Sequence, residues 1–250
     1  SELRADVDQR KIDGLENSFF RMIAQSLYDK TYDLEYRVQT YEPYREINDL
    51  ATEMKTSGYN PFENPTGIYF KDGEEAVVIL GNTNGEQVNL KVYDFDAIRQ
   101  GQRTPDPTSY PLSEGINKLR IAHGGLSYIE YYTPNWKTAP ALKLHIASGK
   151  VNGYYDKHRD VSADWREILN KATYGCIDIK GDRVNLVFGV NSIKTYCDNL
   201  GKLIQNYDDI VELEHELMGL DKWGRRPKNH MFARVTKDGL FADGWGAGWY

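Results

Sequence analysis

Six short segments between residues 64 and 146 are rich in apolar side chains, and several of them alternate apolar and polar residues with a period of two. This period places every second side chain on the same face of a β-strand. The apolar positions are Ile68 and Phe70, residues 76–80, Val88, Leu90 and Val92, Leu119 and Ile121, residues 128–132, and Leu142, Leu144 and Ile146. Many short strands in one stretch predict two packed antiparallel sheets, because a single sheet would leave one apolar face in water.

Turn-forming dipeptides separate these segments. They are Asp72-Gly73, Asn84-Gly85, Gly124-Gly125, Ser148-Gly149 and Asn152-Gly153. Such residues tolerate the positive φ angles that tight turns require. The pattern predicts an antiparallel, jelly-roll-like β-sandwich over residues 59–158. Within it, residues 99–111 carry three prolines and no periodicity, which predicts a surface loop.

The first 58 residues have a different pattern and predict a helical lead-in with one strand. Apolar residues at helical spacing predict an amphipathic helix over residues 13–28. Alternation over residues 34–41 predicts a half-buried strand, and residues 45–55 predict a second helix.

The chain changes character again after residue 160. A short helix with Ser162 as its N-cap is predicted first, followed by strands at residues 176–179 and 184–190. A helix of about five turns follows, capped by Asp198 or Asn199 and stopped by Gly219. Strands at residues 231–235 and 240–242 complete the pattern. This order predicts an α+β unit over residues 159–250.

Composition excludes several classes of protein. The net charge of −6 argues against a nucleic-acid partner, and the basic run Lys222, Arg225, Arg226 and Lys228 is predicted to be a solvated loop. No segment approaches 18 consecutive apolar residues, so no membrane span is predicted. The two cysteines, Cys176 and Cys197, lack the spacing of a zinc knuckle. A disulfide between them and two free thiols both fit the sequence.

Four blocks, in this order, resemble the enhancin-like, mucin-directed zinc metallopeptidases of peptidase family M60. They are Asn64-Pro65-Thr66-Gly67-Ile68-Tyr69-Phe70, Pro111-Leu112-Ser113-Glu114-Gly115-Ile116-Asn117, His145-Ile146-Ala147-Ser148-Gly149-Lys150-Val151-Asn152-Gly153-Tyr154-Tyr155, and the closing residues 207–250 with Asp243-Gly244-Trp245-Gly246-Ala247-Gly248. The resemblance spans roughly residues 60–250, and the chain is identified as the N-terminal portion of such a peptidase.

This resemblance implies a secreted or surface-attached enzyme of mucosal bacteria or insect viruses that hydrolyses peptide bonds in glycoproteins such as mucins. In the family, the two histidines of an HExxH motif and a downstream glutamate hold zinc, and the motif follows a strand like the closing one. We therefore expect the motif beyond Tyr250, in a longer parent protein. The alternative is a surface protein that uses the same scaffold to bind glycans or adhere to glycoproteins without catalysis.

The chain departs from the family at the zinc motif. Its HE dipeptide is His215-Glu216, and the position that a second ligand would need is Gly219. We expect this stretch to be a charged helix face. The other histidines, His123, His145, His158 and His230, are scattered singly and are expected at the surface or in turns. The chain alone is therefore predicted to lack zinc and to be inactive.

Two groups of residues are candidates for ligand contact. The resemblance implies that Trp245, Gly246, Ala247 and Gly248 form an edge strand that pairs with an extended substrate, since small residues let a second backbone approach. The alternative is that these four residues are a glycine-rich chain end that frays because its neighbours are missing. The second group comprises aromatic residues whose rings could stack on sugars: Tyr131, Tyr132, Trp136, Tyr154 and Tyr155. Tyrosine is also a common structural residue of strands, so these positions have a structural alternative as well.

Overall fold

The computed structural model describes residues 2–56, 58–160 and 164–235. In these residues two antiparallel sheets form a sandwich, and a third, mixed sheet is accompanied by helices. The predicted α+β class is confirmed. The predicted N-cap Ser162 and the predicted strand over residues 240–242 lie outside the described residues.

Two helices of the lead-in fall in or next to the range 13–28, for which the sequence predicted a single helix. Helix α1 is Gln9–Asp13 and helix α2 is Ser18–Tyr28. The Asn17 side chain accepts hydrogen bonds from two backbone N–H groups in the first turn of α2, which starts this helix after a break. The predicted helix therefore began too early. A later helix, α4, spans Ile47–Met54, within its predicted range.

The segment predicted as one strand, residues 34–41, begins as a helix. Helix α3 is Leu34–Arg37 and strand β1 is Val38–Tyr41. The Arg37 guanidinium donates to the carbonyl oxygen of Ile146, 109 positions away, at 3.2 Å. Because this contact comes from a distant part of the chain, local alternation could not predict the helical turn.

The sandwich contains all six predicted strands in two facing sheets. One sheet has the order β1-β8-β3-β6 and the other β5-β4-β7-β2-β9. The strands are β2 Pro65–Phe70, β3 Glu75–Leu80, β4 Val88–Tyr93, β5 Thr108–Leu112, β6 Gly115–Arg120, β7 Gly125–Glu130, β8 Leu142–Ile146 and β9 Lys150–Val151. Their inward side chains, such as Phe70, Leu90 and Leu144, form the core. Strand β1 of the lead-in pairs with β8, so the lead-in contributes to the sandwich.

The predicted loop over residues 99–111 is shorter than expected. Helix α5, Phe95–Arg99, reaches its first residue, and β5 covers its last four positions. Pro111 lies opposite Asn89 of β4. Proline cannot donate to a neighbouring strand, but β5 is an edge strand and loses nothing there.

The third sheet, the C-terminal sheet, has the order β10-β11-β12-β13. Its strands are β10 Tyr155–Asp156, β11 Cys176–Lys180, β12 Val184–Gly189 and β13 Met231–Arg234, and its helices are α6 Trp165–Lys171, α7 Val190–Tyr196 and α8 Leu200–Leu217. Asn199 caps α8 as predicted, and Gly219 follows it with a φ of 68°. Asp164 caps α6, and α7 was not predicted.

An aromatic cluster joins the C-terminal sheet to the sandwich. Phe62, just before β2, lies 5.0 Å from Phe232 of β13 and 5.2 Å from Tyr128 of β7 between ring centroids. Phe95 packs against the same rings. Aromatic pairs of this kind contribute about 1 kcal/mol each beyond the area that they bury. The two units are thus held in a defined relative position.

The thiols of Cys176 and Cys197 are both free. Burial raises the pKa of the Cys176 thiol to about 12, so it stays protonated and packs as a small apolar group. Among the helices of the described residues, none has both the length and the apolar composition that crossing a bilayer requires.

Candidate functional site at the edge of the C-terminal sheet

Strand β13 lies at one edge of the C-terminal sheet. It pairs in parallel with β12, with Met231 opposite Val184 and Arg234 opposite Val187. Within residues 2–56, 58–160 and 164–235, no strand pairs with its other side. An edge of this kind presents backbone N–H and C=O groups that can bind a further strand or an extended peptide.

A buried carboxylate anchors the residue that precedes β13. Glu63 Oε1 accepts from the backbone N–H of His230 at 2.6 Å, and Oε2 lies 2.7 Å from His230 Nδ1. The Asn185 amide on β12 donates to the same Oε2 at 3.3 Å. All three side chains are buried. Because Glu63 belongs to the segment before β2, this cluster ties the start of the edge strand to the sandwich.

A second buried carboxyl group lies on the face of the sheet that meets the sandwich. The Tyr128 hydroxyl donates to Asp178 Oδ1 at 2.6 Å. Burial raises the pKa of Asp178 to about 7, while the hydrogen bond from Tyr128 acts in the opposite direction. This carboxyl group therefore stays protonated to higher pH than an exposed aspartate does.

A third carboxylate holds the turn between β11 and β12 against α8. Asp208 accepts from the backbone N–H groups of Asp182 at 3.0 Å and Arg183 at 2.8 Å. Its Oδ2 also lies 2.9 Å from Lys157 Nζ. The turn passes so closely that a Cβ on Gly181 would lie 2.5 Å from Asp208 Oδ1. Helix α8 is therefore fixed relative to the sheet at this end.

Residues 35–146 match the N-terminal domain of M60-like peptidases. The match confirms the family resemblance inferred from the sequence. Among curated proteins, no sequence matches this chain.

Solved structures extend the similarity beyond residues 35–146. A metallopeptidase from Bacteroides thetaiotaomicron has 29% identity and a TM-score of 0.85, over 99% of this chain and 44% of its own. A metallopeptidase in complex with Tn antigen has 28% identity and a TM-score of 0.77, over 88% of this chain and 42% of its own. A conserved Bacillus anthracis protein of unknown function shares the fold at 21% identity and a TM-score of 0.72, over 85% and 44%. The chain spans less than half the length of each.

The described residues include the HELMG stretch but no cluster of metal-ligating side chains. Across residues 2–56, 58–160 and 164–235, no three His, Cys, Asp or Glu side chains are arranged to hold one. His215 lies in α8, whereas Gly219 is past its end with a left-handed backbone. The HELMG sequence thus lacks both the second ligand and the continuous helix that an HExxH site needs.

Three histidines of the chain lie deeper than expected. His215, predicted on a charged helix face, is buried, and burial together with nearby Arg226 lowers its pKa. His145 is buried beside the Tyr32 hydroxyl, 2.6 Å from Nε2, and burial lowers its pKa to about 4. His230 is the buried partner of Glu63. The expected surface or turn positions of His145 and His230 and the exposed helix face expected for His215 were therefore wrong, because packing between distant elements covers all three.

The aromatic glycan candidates differ in exposure. Tyr131, Tyr154 and Tyr155 are buried, so their rings offer no free face for a sugar. Tyr132 is half-buried, and its hydroxyl donates to the carbonyl oxygen of Asn60. These four tyrosines are packing residues, which agrees with the structural alternative that the sequence left open.

Trp136 is the exception among the five aromatic candidates, because it lines an open cleft. The predicted substrate strand, Trp245, Gly246, Ala247 and Gly248, lies outside the described residues and stays a prediction.

The sequence did not single out Glu63, Asp178 or Asn185. Asp178 sits between Ile177 and Ile179, an alternation that predicts a wet polar face. The sandwich covers that face instead. From the sequence, Asp178 would be predicted to be buried only if both faces of its sheet were already known to be covered by other elements.

Proposed function

We propose that the chain is the N-terminal portion of a secreted or surface-attached bacterial zinc metallopeptidase that hydrolyses peptide bonds in glycoproteins such as mucins. The observation that carries this proposal is the similarity of 99% of the chain to a metallopeptidase, at a TM-score of 0.85. A related metallopeptidase binds Tn antigen, which supports a glycoprotein substrate. The zinc ligands are expected in a part of the parent protein other than the described residues.

The described residues have a positioning role in this proposal. The sandwich holds the C-terminal sheet through the aromatic cluster and through Glu63, so the edge next to β13 has a defined place. The proposed substrate strand, residues 245–248, would then present its backbone to an extended peptide beside that edge. Glycine and alanine suit this role because they leave room for a second backbone.

An apolar surface on α8 also supports a larger catalytic domain. Ile210, Leu213 and Leu217 are more than half exposed on this helix. Ile210 lines a groove together with Tyr207 of α8 and Met231 of β13. Exposed apolar surface of this extent is typical of a face that other protein covers. In the proposal, the remainder of the peptidase domain covers it.

The test is an assay of the full-length parent protein. Its complete reading frame should contain HExxH followed by a glutamate beyond residue 250. The protein should cleave a Tn-antigen glycopeptide faster than the same peptide without the glycan. A chelator should abolish this cleavage, and added zinc should restore it. The 250-residue chain is the matched control and should not cleave.

A reading frame without HExxH, or cleavage that survives chelation, would overturn the peptidase proposal. The first result would favour the alternative function, a surface protein that binds glycans without catalysis.

A further inference from the structure

A cleft of about 580 Å³ lies between three separate parts of the chain. One wall is helix α4 with Arg45 before it, the second is the loop after β7, and the third is the loop before β13. Its volume is in the range of sites that hold small ligands. The lining residues are Arg45, Asp49, Glu53, residues 134–138 and residues 224–229.

The lining is cationic in a protein of net charge −6. Five basic side chains line the cleft, against the two acidic side chains Asp49 and Glu53. The basic side chains are Arg45, Lys137, Arg225, Arg226 and Lys228. Cations gathered in a concave surface raise the local concentration of anionic ligands.

Three of the five cations already have carboxylate partners. Arg45 pairs with Glu53 at 2.5 Å, and Lys228 pairs with Glu42 at 3.2 Å. Arg226 is bound by Glu212 and Asp221.

The other two cations, Lys137 and Arg225, are exposed, and neither forms an ion pair within the part of the chain that the structure describes. They are therefore available to an anion in the cleft.

Trp136 gives the cleft an aromatic wall. Its ring is half-buried, and the Lys137 ammonium lies 5.2 Å from the ring centroid. This cation–π contact keeps a positive charge next to a flat apolar surface. Asp49 adds a carboxylate that can accept hydrogen bonds from hydroxyl groups. A ligand that matches all three features has a flat apolar face, hydroxyl groups and a negative charge.

We propose that this cleft binds an acidic sugar, whose ring stacks on Trp136 and whose carboxylate or sulfate group meets Lys137 and Arg225. The site does not depend on the zinc centre of the proposed peptidase. An acidic peptide would satisfy the cations but leave the aromatic wall and the hydroxyl acceptor unused.

The experiment measures binding of three probes to the 250-residue chain by calorimetry or NMR titration. The probes are sialyllactose, 6′-sulfated lactose and neutral lactose. We expect at least one acidic probe to bind more tightly than lactose, and its affinity to fall as salt is raised. The two acidic arms distinguish a carboxylate from a sulfate.

The chain offers matched controls for each variant. Trp223 is exposed and has the Lys222 ammonium 5.2 Å from its ring centroid, yet it does not line the cleft. Trp136→Ala should weaken binding of the acidic probe about fivefold or more, whereas Trp223→Ala should not change it. Arg225→Ala should weaken it about threefold or more, with exposed Arg103→Ala as its control.

All four side chains are exposed or half-buried, so we expect the variants to be as stable as the unmodified chain. Thermal unfolding curves check that a loss of binding is not a loss of folded protein. Equal binding of lactose and the acidic probes would overturn the proposal. The proposal would also fail if Trp136→Ala and Arg225→Ala left binding of the acidic probe unchanged. Two further results would overturn it: a poly-glutamate peptide that binds more tightly than any sugar, or no binding of any probe.

Discussion

Glu63 accepts two hydrogen bonds from His230, one from its backbone N–H at 2.6 Å and one from its ring at 2.7 Å to Nδ1. The two residues are 167 positions apart, and they join the segment before the first long sandwich strand to the start of β13. A single carboxylate therefore aligns the edge strand with the sandwich. In the proposed peptidase, this alignment places the substrate-binding edge.

Replacing Glu63 by glutamine should destabilise the fold. One of the two buried His230 donors would then face an amide N–H₂ group, and an unmade buried hydrogen bond costs about 1–3 kcal/mol. The free energy of unfolding in urea measures the loss. Glu75→Gln is the matched control, because Glu75 is exposed and lies 3.7 Å from Lys118, and should change stability by less than about 0.5 kcal/mol. Equal effects of the two substitutions would contradict the anchoring role.

Asp178 should make stability decrease as pH rises from about 4 to about 7. Its folded-state pKa of about 7 lies above the model-compound value of 3.8, so the folded state binds the extra proton in this window. The free energy of unfolding should fall by roughly 4 kcal/mol over about three pH units, because one protonation site contributes about 1.4 kcal/mol per pH unit. Unfolding free energies between pH 4 and 8 measure it.

Asp178→Asn provides the control for this pH dependence. An amide does not titrate and can still accept from the Tyr128 hydroxyl. The variant should have a flatter pH profile and exceed the unmodified chain in stability at pH 8. An unchanged slope would show that another group causes the pH dependence.

The apolar face of α8 should cause self-association of the 250-residue chain. Leu213 and Leu217 are 55% and 80% exposed, and burying them between two chains is favourable. Replacing both by lysine should shift the sedimentation profile toward monomer. Met22→Lys on α2, where Met22 is 57% exposed, should leave the profile unchanged. A purely monomeric unmodified chain would contradict this prediction.

Gly125 should be far less tolerant of alanine than Gly85, although both have positive φ angles, of 146° and 85°. A Cβ on Gly125 would lie 2.0 Å from the Tyr93 carbonyl oxygen, whereas a Cβ on Gly85 meets nothing within 4 Å. Gly85→Ala should cost about 1 kcal/mol from the backbone alone. Gly125→Ala should cost more than about 4 kcal/mol in urea unfolding, or prevent folding. Similar costs would mean that the sheet adjusts at Gly125.

The sequence alone determined the elements whose signal is local. Alternation predicted strands β2 and β4, and a short apolar run predicted β3. Helical spacing with a capping residue predicted α8. Each of these signals lies within the residues of one element. The family resemblance rested on motifs of the same local kind. Prediction from local sequence failed where contacts with distant residues determine the secondary structure. Helix α3 and Pro111 in the edge strand β5 are two examples.

Only the tertiary structure decided which polar and aromatic side chains are buried. Trp136 and Tyr131 are both aromatic residues near the end of β7, yet one lines a cleft and the other lies in the core. Asp178 lies in an alternating strand that looks half-exposed, but the docked sandwich covers it. Burial depends on which surfaces meet, and those surfaces come from residues far apart in the sequence: Tyr128 and Asp178 are 50 positions apart, and Glu63 and His230 are 167 apart. That is why Glu63 and His230 could be recognised as partners only in the folded chain.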